Sequence, residues 1–242
     1  AEPVVTHNYA REHAYNLWFV VTGRARDDVA RTLASVAKGL GRPVLDLPME
    51  RAFHIDLGFS MFGERRRRVN SDHAPGGKAD GIDLAILTAI EGGLALVERP
   101  FRRVAEATGL PEAEVLARLA AMLASGVVSR FGIVVKHRAF GFDANAMAVW
   151  DLANEAVDEV AMRFAREPQV TLCYRRPRRL PDWRYNLFCM VHATSRPEAL
   201  SAIERLKALA GDALRDQATL FSTRCYKQRG AVFSATQLMG AA

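Results

Sequence analysis

Thr6-His7-Asn8-Tyr9-Ala10-Arg11-Glu12-His13-Ala14-Tyr15-Asn16-Leu17 is echoed far along the chain by Thr171-Leu172-Cys173-Tyr174-Arg175-Arg176 and then Tyr185-Asn186-Leu187. Thr6, Tyr9 and Arg11 match Thr171, Tyr174 and Arg176 at an offset of 165; Tyr15-Asn16-Leu17 match at 170, after a five-residue insertion. Each match is followed by a helix-like stretch, 27–40 and 196–210, and then by a short strand, 52–59 and 223–233. Shared order at nearly constant spacing marks a duplicated unit. The second copy has about 85 residues before its matching point and the first almost none, so the sequence starts in the middle of a unit. The expectation is a first half lacking its opening strand and helix, supplied by a longer product or a companion fragment.

The second copy shows the unit whole. Stretches 82–90, 101–108 and 112–125 read as three helices, with Asp83 the expected cap of the first. Pro111 at the start of the third and Gly126 just past its end follow the usual asymmetry. With 127–132 they predict a helix-turn-helix carrying a strand-like wing. Strands at 133–135, 144–152, 169–174, 185–192 and 220–226, with helices at 155–166 and 196–210, complete the reading. Strand-helix-strand-strand-helix-strand is the ferredoxin-like split pattern, so the fold class is α+β. The predicted organisation is a partial ferredoxin-like domain at 1–63, a linker at 64–80, a helix-turn-helix domain at 81–132 and a complete ferredoxin-like domain at 133–242. The two sheets are expected to pair as a pseudo-dimer.

Half of the 242 residues are apolar, a composition that excludes a mostly disordered, collagen-like or disulfide-scaffold chain. No apolar run approaches the ~20 residues of a membrane span. Three widely spaced cysteines point to reduced thiols and a cytoplasmic setting. The formal charge of +6 is concentrated in Arg65-Arg66-Arg67-Arg68 and in the five arginines between positions 175 and 184; the remainder is slightly acidic. That distribution suggests a tether and an anion site rather than a surface coated for nucleic acid. The would-be recognition helix at 112–125 has Glu112, Glu114 and a lone long basic donor, Arg118. DNA affinity and base reading need several basic or amide donors there, so DNA binding is not expected.

At three places the residues resemble one family. These are Pro3 to Phe19 (PVVTHNYAREHAYNLWF); Arg130 to His137 (RFGIVVKH) with Asn145 to Asp151 (NAMAVWD); and Cys173 to Pro177 (CYRRP) with Asp182 to Phe188 (DWRYNLF). Together they resemble siroheme decarboxylases, Lrp/AsnC-like proteins, in a fused form with a D-type half before an L-type half. The resemblance covers nearly the whole chain. It implies loss of CO2 from the C12 and C18 acetates of siroheme, giving 12,18-didecarboxysiroheme in heme d1 or alternative heme synthesis. It implies an oligomer, no redox cofactor and no protein-held metal, the iron arriving inside the substrate. The alternatives are an Lrp/AsnC-type DNA-binding regulator and a non-catalytic tetrapyrrole sensor.

The chemistry has its own requirements. A macrocycle with many carboxylates needs a wide apolar cleft and arginines that grip carboxylates bidentately. The carbanion-like centre left by CO2 needs a poised proton donor, for which imidazole suits neutral pH. His7, Tyr9 and Arg11, spaced by two, share one face of a strand; Leu172, Tyr174 and Arg176 occupy the matching face. His7 and His13 are assigned as proton donors, with Tyr9, Arg11, Tyr174, Arg175 and Arg176 binding carboxylates; for the arginines from 175 to 179 a solvated loop is the alternative. Leu172 departs from the family's histidine, which leaves the second half to bind without catalysing. His54 either reaches the same cleft or sits on a solvated face. His137 and His192 read as packing histidines, and His73 as solvent-exposed. Trp18, Trp150 and Trp183 suit either a porphyrin wall or plain core. No metal-ligand spacing, phosphate loop or nucleophile elbow is present.

Overall fold

A hairpin opens the structure. The computed structural model describes residues 4–23, 25–55, 77–128, 131–132, 141 and 143–230. The four-arginine run, His73, most of the expected linker, the 133–135 strand and His137 lie outside them, as do the ends of the expected strands at 56–59 and 231–233. β1 (Val5–Arg11) and β2 (Leu17–Val21) pair antiparallel with Tyr9 opposite Trp18 and His7 opposite Val20. α1 (Arg26–Leu40) and β3 (Arg51–Ile55) follow. Three helices come next: α2 (Gly81–Ile90), α3 (Pro100–Thr108) and α4 (Glu112–Ala124). They close on one another around Ile86, Val104, Val115, Leu119 and Met122. The cap of α2 differs from the expectation. Asp80 is the N-cap and accepts from the Asp83 N–H, while Asp83 is the third residue in and bonds back to the Asp80 N–H. This reciprocal pair satisfies two otherwise orphaned donors.

The second half runs β4 (Ala144–Leu152), α5 (Val157–Phe164), β5 (Val170–Arg175), β6 (Leu187–Ala193), α6 (Arg196–Ala210) and β7 (Leu214–Gln228). Strand alternation divides β4 and β6 between two faces. Ala146, Ala148, Trp150, Leu187, Cys189 and Val191 point to the helix side and pack with Val160, Phe164, Ile203 and Leu206. Met147, Val149 and Phe188 point the other way, toward Trp183, Tyr174 and Leu220.

All the described strands join one sheet in the order β2-β1-β7-β4-β6-β5-β3. By the internal repeat, β1 corresponds to β5, β2 to β6, α1 to α6 and β3 to β7. The closing strands are exchanged. β7 pairs with β4 through Phe221 and continues along β1 from Ser222 to Gln228, while β3 pairs with β5 at the far edge. The two pairings are equivalent: Tyr9 stands opposite Cys225, and Tyr174 opposite Ala52. The sheet is folded over. A flat sheet with ~4.8 Å between strands would hold β2 and β6, four positions apart, ~19 Å from each other. Yet the Trp18 ring lies 6.4 Å from that of Phe188 and 5.3 Å from that of Trp183. Two register shifts in the β1–β7 ladder, at Asn8/Tyr9 and Ala10/Arg11, supply the bend. The inner faces of the halves therefore meet, as the pseudo-dimer expectation requires.

The halves are not equally covered. α6 buries Ala199, Ala202, Ile203, Leu206 and Ala210 against β4, β6 and α5; α1 buries no residue. Among the described residues nothing in the first half corresponds to β4 or α5, and β2 pairs with β1 alone. Equivalent truncations should differ accordingly. Leu206→Ala is expected to cost about 2–5 kcal/mol of stability, and Val36→Ala, its counterpart on α1, less than about 1 kcal/mol, both read by denaturant unfolding.

Candidate functional site

The inner face of β1 carries the polar triplet. The His7 and Tyr9 rings stack 6.2 Å apart, and the Arg11 guanidinium lies 5.5 Å from the Tyr9 ring. On the second half, Arg176 lies 4.7 Å from the Tyr174 ring and 5.6 Å from Phe188. Each arginine also reaches across the duplication: Arg11 Nη1 donates to the Leu220 carbonyl at 3.2 Å, and Arg176 Nη1 to the Leu47 carbonyl. Arg11 is only 6% exposed, and its Nε is buried without a hydrogen-bond partner. Among the described residues no carboxylate pairs with it. Burial works against its charge, and the neighbouring Tyr174 and Tyr9 hydroxyls oppose that effect. Arginine keeps its proton regardless. A desolvated cation without a counter-ion costs several kcal/mol.

Aromatic rings wall the site. Trp183 is almost fully buried and makes edge contacts with Tyr15, Trp18, Tyr185 and His13, the last at 5.6 Å. His13 Nδ1 accepts the Tyr15 N–H at 3.0 Å, which places the proton of the neutral ring on Nε2. His7 Nδ1 lies 3.0 Å from the Thr6 hydroxyl. Burial lowers the pKa of both imidazoles from the ordinary 6.5. Burial, then Cys225, pushes the Tyr9 phenol up to about 12 against the pull of Arg11, so it remains a hydrogen-bond donor.

Other sequence-derived candidates lie elsewhere. His54 registers opposite Cys173, whose thiol belongs to the helix-side core; paired residues project to one face, so His54 stands apart from Arg11. Arg175 is ion-paired with Glu50 at 3.2 Å and Asp158 at 3.5 Å. Arg178 is tied to Asp151, Asn154 and the carbonyls of Leu152 and Arg184, and Arg179 to the Asp46 carbonyl. Arg175 and Arg178 line a cavity of about 310 Å³ with Glu50, Asn154, Arg176, Pro177 and Asn186. Trp150 is core, 4.9 Å from Phe164 on the helix side, whereas Trp18 and Trp183 line the inner face. The sequence reading missed Tyr15 and Phe188; the repeat held the signal, since Phe188 is the counterpart of Trp18. Among the described residues no group of three or more His, Cys, Asp or Glu is placed to hold a metal.

The described arginines of the helix-turn-helix pair with neighbouring carboxylates. Arg118 bonds Asp80 at 2.9 Å, Asp83 at 3.0 Å and Glu114 at 3.3 Å, leaving little of its charge for a phosphate. Arg99, Arg102 and Arg103 likewise pair with Glu112 and Glu106.

Comparison with known proteins identifies the family. A family model described as an AsnC-like ligand binding domain matches residues 1–54 and 139–227, and one described as a siroheme decarboxylase NirDL-like HTH domain matches 83–128. The chain is 42% identical to the siroheme decarboxylase NirDL subunit of Paracoccus denitrificans over 97% of this chain and 72% of that protein. It is 47% identical to the NirL subunit of Stutzerimonas stutzeri over 60% of this chain and 85% of that one. A crystal structure of siroheme decarboxylase NirDL in co-complex with an iron-uroporphyrin III analogue matches with a TM-score of 0.60 at 29% identity, covering 98% of this chain and 68% of that chain.

Two outcomes follow from the charge pairing. Arg178→Ala, which strands the mostly buried Asp151 carboxylate, should lower stability by about 3 kcal/mol in chemical denaturation. Gel-shift titration at low and physiological salt should show no sequence-specific DNA complex; a nanomolar, salt-dependent one would contradict the pairing around Arg118.

Proposed function

The chain belongs to the siroheme decarboxylases, and on that footing we propose that it removes CO2 from the C12 and C18 acetates of siroheme, giving 12,18-didecarboxysiroheme for heme d1 or alternative heme synthesis. It is a carboxy-lyase. The observation that carries the finer reading is Arg11, a buried guanidinium at the meeting of the two inner faces that no carboxylate among the described residues pairs with. A macrocycle rimmed with carboxylates supplies what that cation lacks.

In this reading Arg11 and Arg176 grip peripheral carboxylates from opposite halves, and the Tyr9 and Tyr174 hydroxyls add donors. Arg175 registers opposite Leu187 of the helix side and is held by Glu50 and Asp158, so it is given no substrate carboxylate. The buried Trp183 and Phe188 exclude water behind the half-buried Trp18, which offers apolar surface to the ring. When an acetate releases CO2, the electron pair of the broken C–C bond stays on the side-chain methylene carbon. One proton from an imidazolium then makes the methyl group, and solvent returns the proton to the imidazole. His13, neutral while its Nδ1 accepts the Tyr15 N–H, becomes an imidazolium donor by taking a proton on Nδ1 and giving up that bond. His7, stacked on Tyr9, stands nearest the carboxylate-binding pair. One proton taken up per CO2 balances the reaction, so no redox cofactor is required and the iron travels with the substrate.

The open edge of β2 and the uncovered face of α1 are assigned to a strand–helix segment of the β4–α5 kind, from this polypeptide or a companion subunit. Among the described residues no helix is long and apolar enough to cross a membrane. Three widely spaced cysteines suit a reducing, cytoplasmic setting.

Anaerobic incubation with siroheme should produce a mass loss of two CO2; tight binding without loss would make the protein a sensor. His7→Ala and His13→Ala should each lower turnover about 100-fold or more. Arg11→Met should weaken siroheme binding about 10- to 100-fold while leaving thermal stability equal or higher, because a desolvated charge is removed. The pH response has a defined sign. Burial lowers the free imidazole pKa values below 6.5, so kcat/KM should fall as pH rises through a midpoint under 6.5. Bound carboxylates favour the imidazolium, so the midpoint in kcat should lie higher.

A further inference from the structure

The duplication is broken at one position that matters. His7 faces inward in the first half, and its counterpart in the second is Leu172. The threonine before each is retained and bonded alike: Thr6 Oγ1 donates to the Val20 carbonyl at 3.4 Å, and Thr171 Oγ1 to the Met190 carbonyl at 3.3 Å. Val20 and Met190 are themselves counterparts at the repeat offset of 170. In both halves the same hydroxyl also meets an imidazole Nδ1. In the first it is His7, at 3.0 Å; in the second it is His192 on the neighbouring strand β6, at 2.8 Å. A hydroxyl that gives its proton to a carbonyl accepts from Nδ1–H, so both rings turn Nε2 outward as the reactive nitrogen.

His192 also points the right way. Its neighbours Val191 and Ala193 belong to the helix-side core, so alternation directs His192 to the inner face with Phe188 and Met190. It is 8% exposed and registers opposite Asn145, which lies between Ala144 and Ala146 of the helix side. A buried Thr171–His192–Asn145 group on a face otherwise built from Met147, Met190 and Leu172 is an expensive substitute for methyl groups. Packing alone does not require it.

We propose that His192 takes the place left by Leu172, as a further proton donor on the second half's side of the interface, serving one of the two acetates. This rests on the decarboxylase reading above. The step is the one already written: the C–C bond to CO2 breaks, its electron pair stays on the methylene carbon, and the His192 imidazolium delivers the proton that completes the methyl group. The second half then contributes to chemistry as well as to binding.

The test uses the full chain with anaerobic siroheme and counts CO2 losses by mass spectrometry over time. In His192→Gln, which keeps a donor for Thr171, one CO2 loss should slow about 100-fold relative to the other, so that a monodecarboxylated porphyrin accumulates. Thr171→Val, which removes the tether and leaves the imidazole, should shift the product ratio the same way and serves if the first variant does not fold. Both losses at the wild-type rate, or both slowed equally in these variants, would overturn the role of His192. A wild-type chain that binds siroheme and releases no CO2 would instead overturn the decarboxylase reading, and this assignment with it.

Discussion

The exchange of closing strands is the constraint on which the architecture depends. β7 is bound along its first part to β4 and along its second to β1, so one continuous strand belongs to both halves. β3 makes the reciprocal link to β5. Backbone hydrogen bonds are obligatory once water is excluded, and they hold the halves in a fixed relation that side-chain packing alone leaves loose. Because β7 bends at two register shifts, its two ladders cannot be coplanar, and the inner faces are brought together. Everything assigned to the site, from Arg11 reaching the Leu220 carbonyl to Trp18 meeting Trp183, lies at that meeting.

The same scaffold explains why an AsnC-like fold can host chemistry. Its inner faces pack together through Trp18, Trp183 and Phe188, and duplication within one chain frees the halves to diverge. Tyr9–Arg11 and Tyr174–Arg176 stay alike, each arginine over its tyrosine and each anchored to a carbonyl of the other half. The imidazoles diverge, supplied by β1 on one side and β6 on the other. The helix-turn-helix keeps its core of Ile86, Val104, Val115, Leu119 and Met122, while its cations are paired internally.

Much of this was legible from residue order. The repeat gave the pseudo-symmetry, and period-two spacing put His7, Tyr9 and Arg11 on one face, as their ring contacts confirm. The expected bounds of the helix at 196–210 and the strand at 144–152 coincide with α6 and β4, because apolar periodicity and flanking turn residues agree there. Less legible were the arginines. Five in ten residues read as one anion site, but Arg175 and Arg178 are consumed by Glu50, Asp158 and Asp151, two of them more than twenty residues away from the arginine they pair with. His54 was equally opaque. A register shift between Ala52 and His54 alters which residues share a face, and its sequence neighbours carry no sign of it.

The amino-acid order by itself determined the duplication and placed a histidine, a tyrosine and an arginine on one face of the opening strand. Only the tertiary structure decided that β7 crosses to β1, that Arg11 is buried without a carboxylate while Arg178 is not, and that Thr171 holds His192. The reason is physical. Periodicity is a local property of a chain, whereas the pairing of strand edges, the loss of water around a charge and the identity of its counter-ion depend on groups that meet only when distant segments fold together.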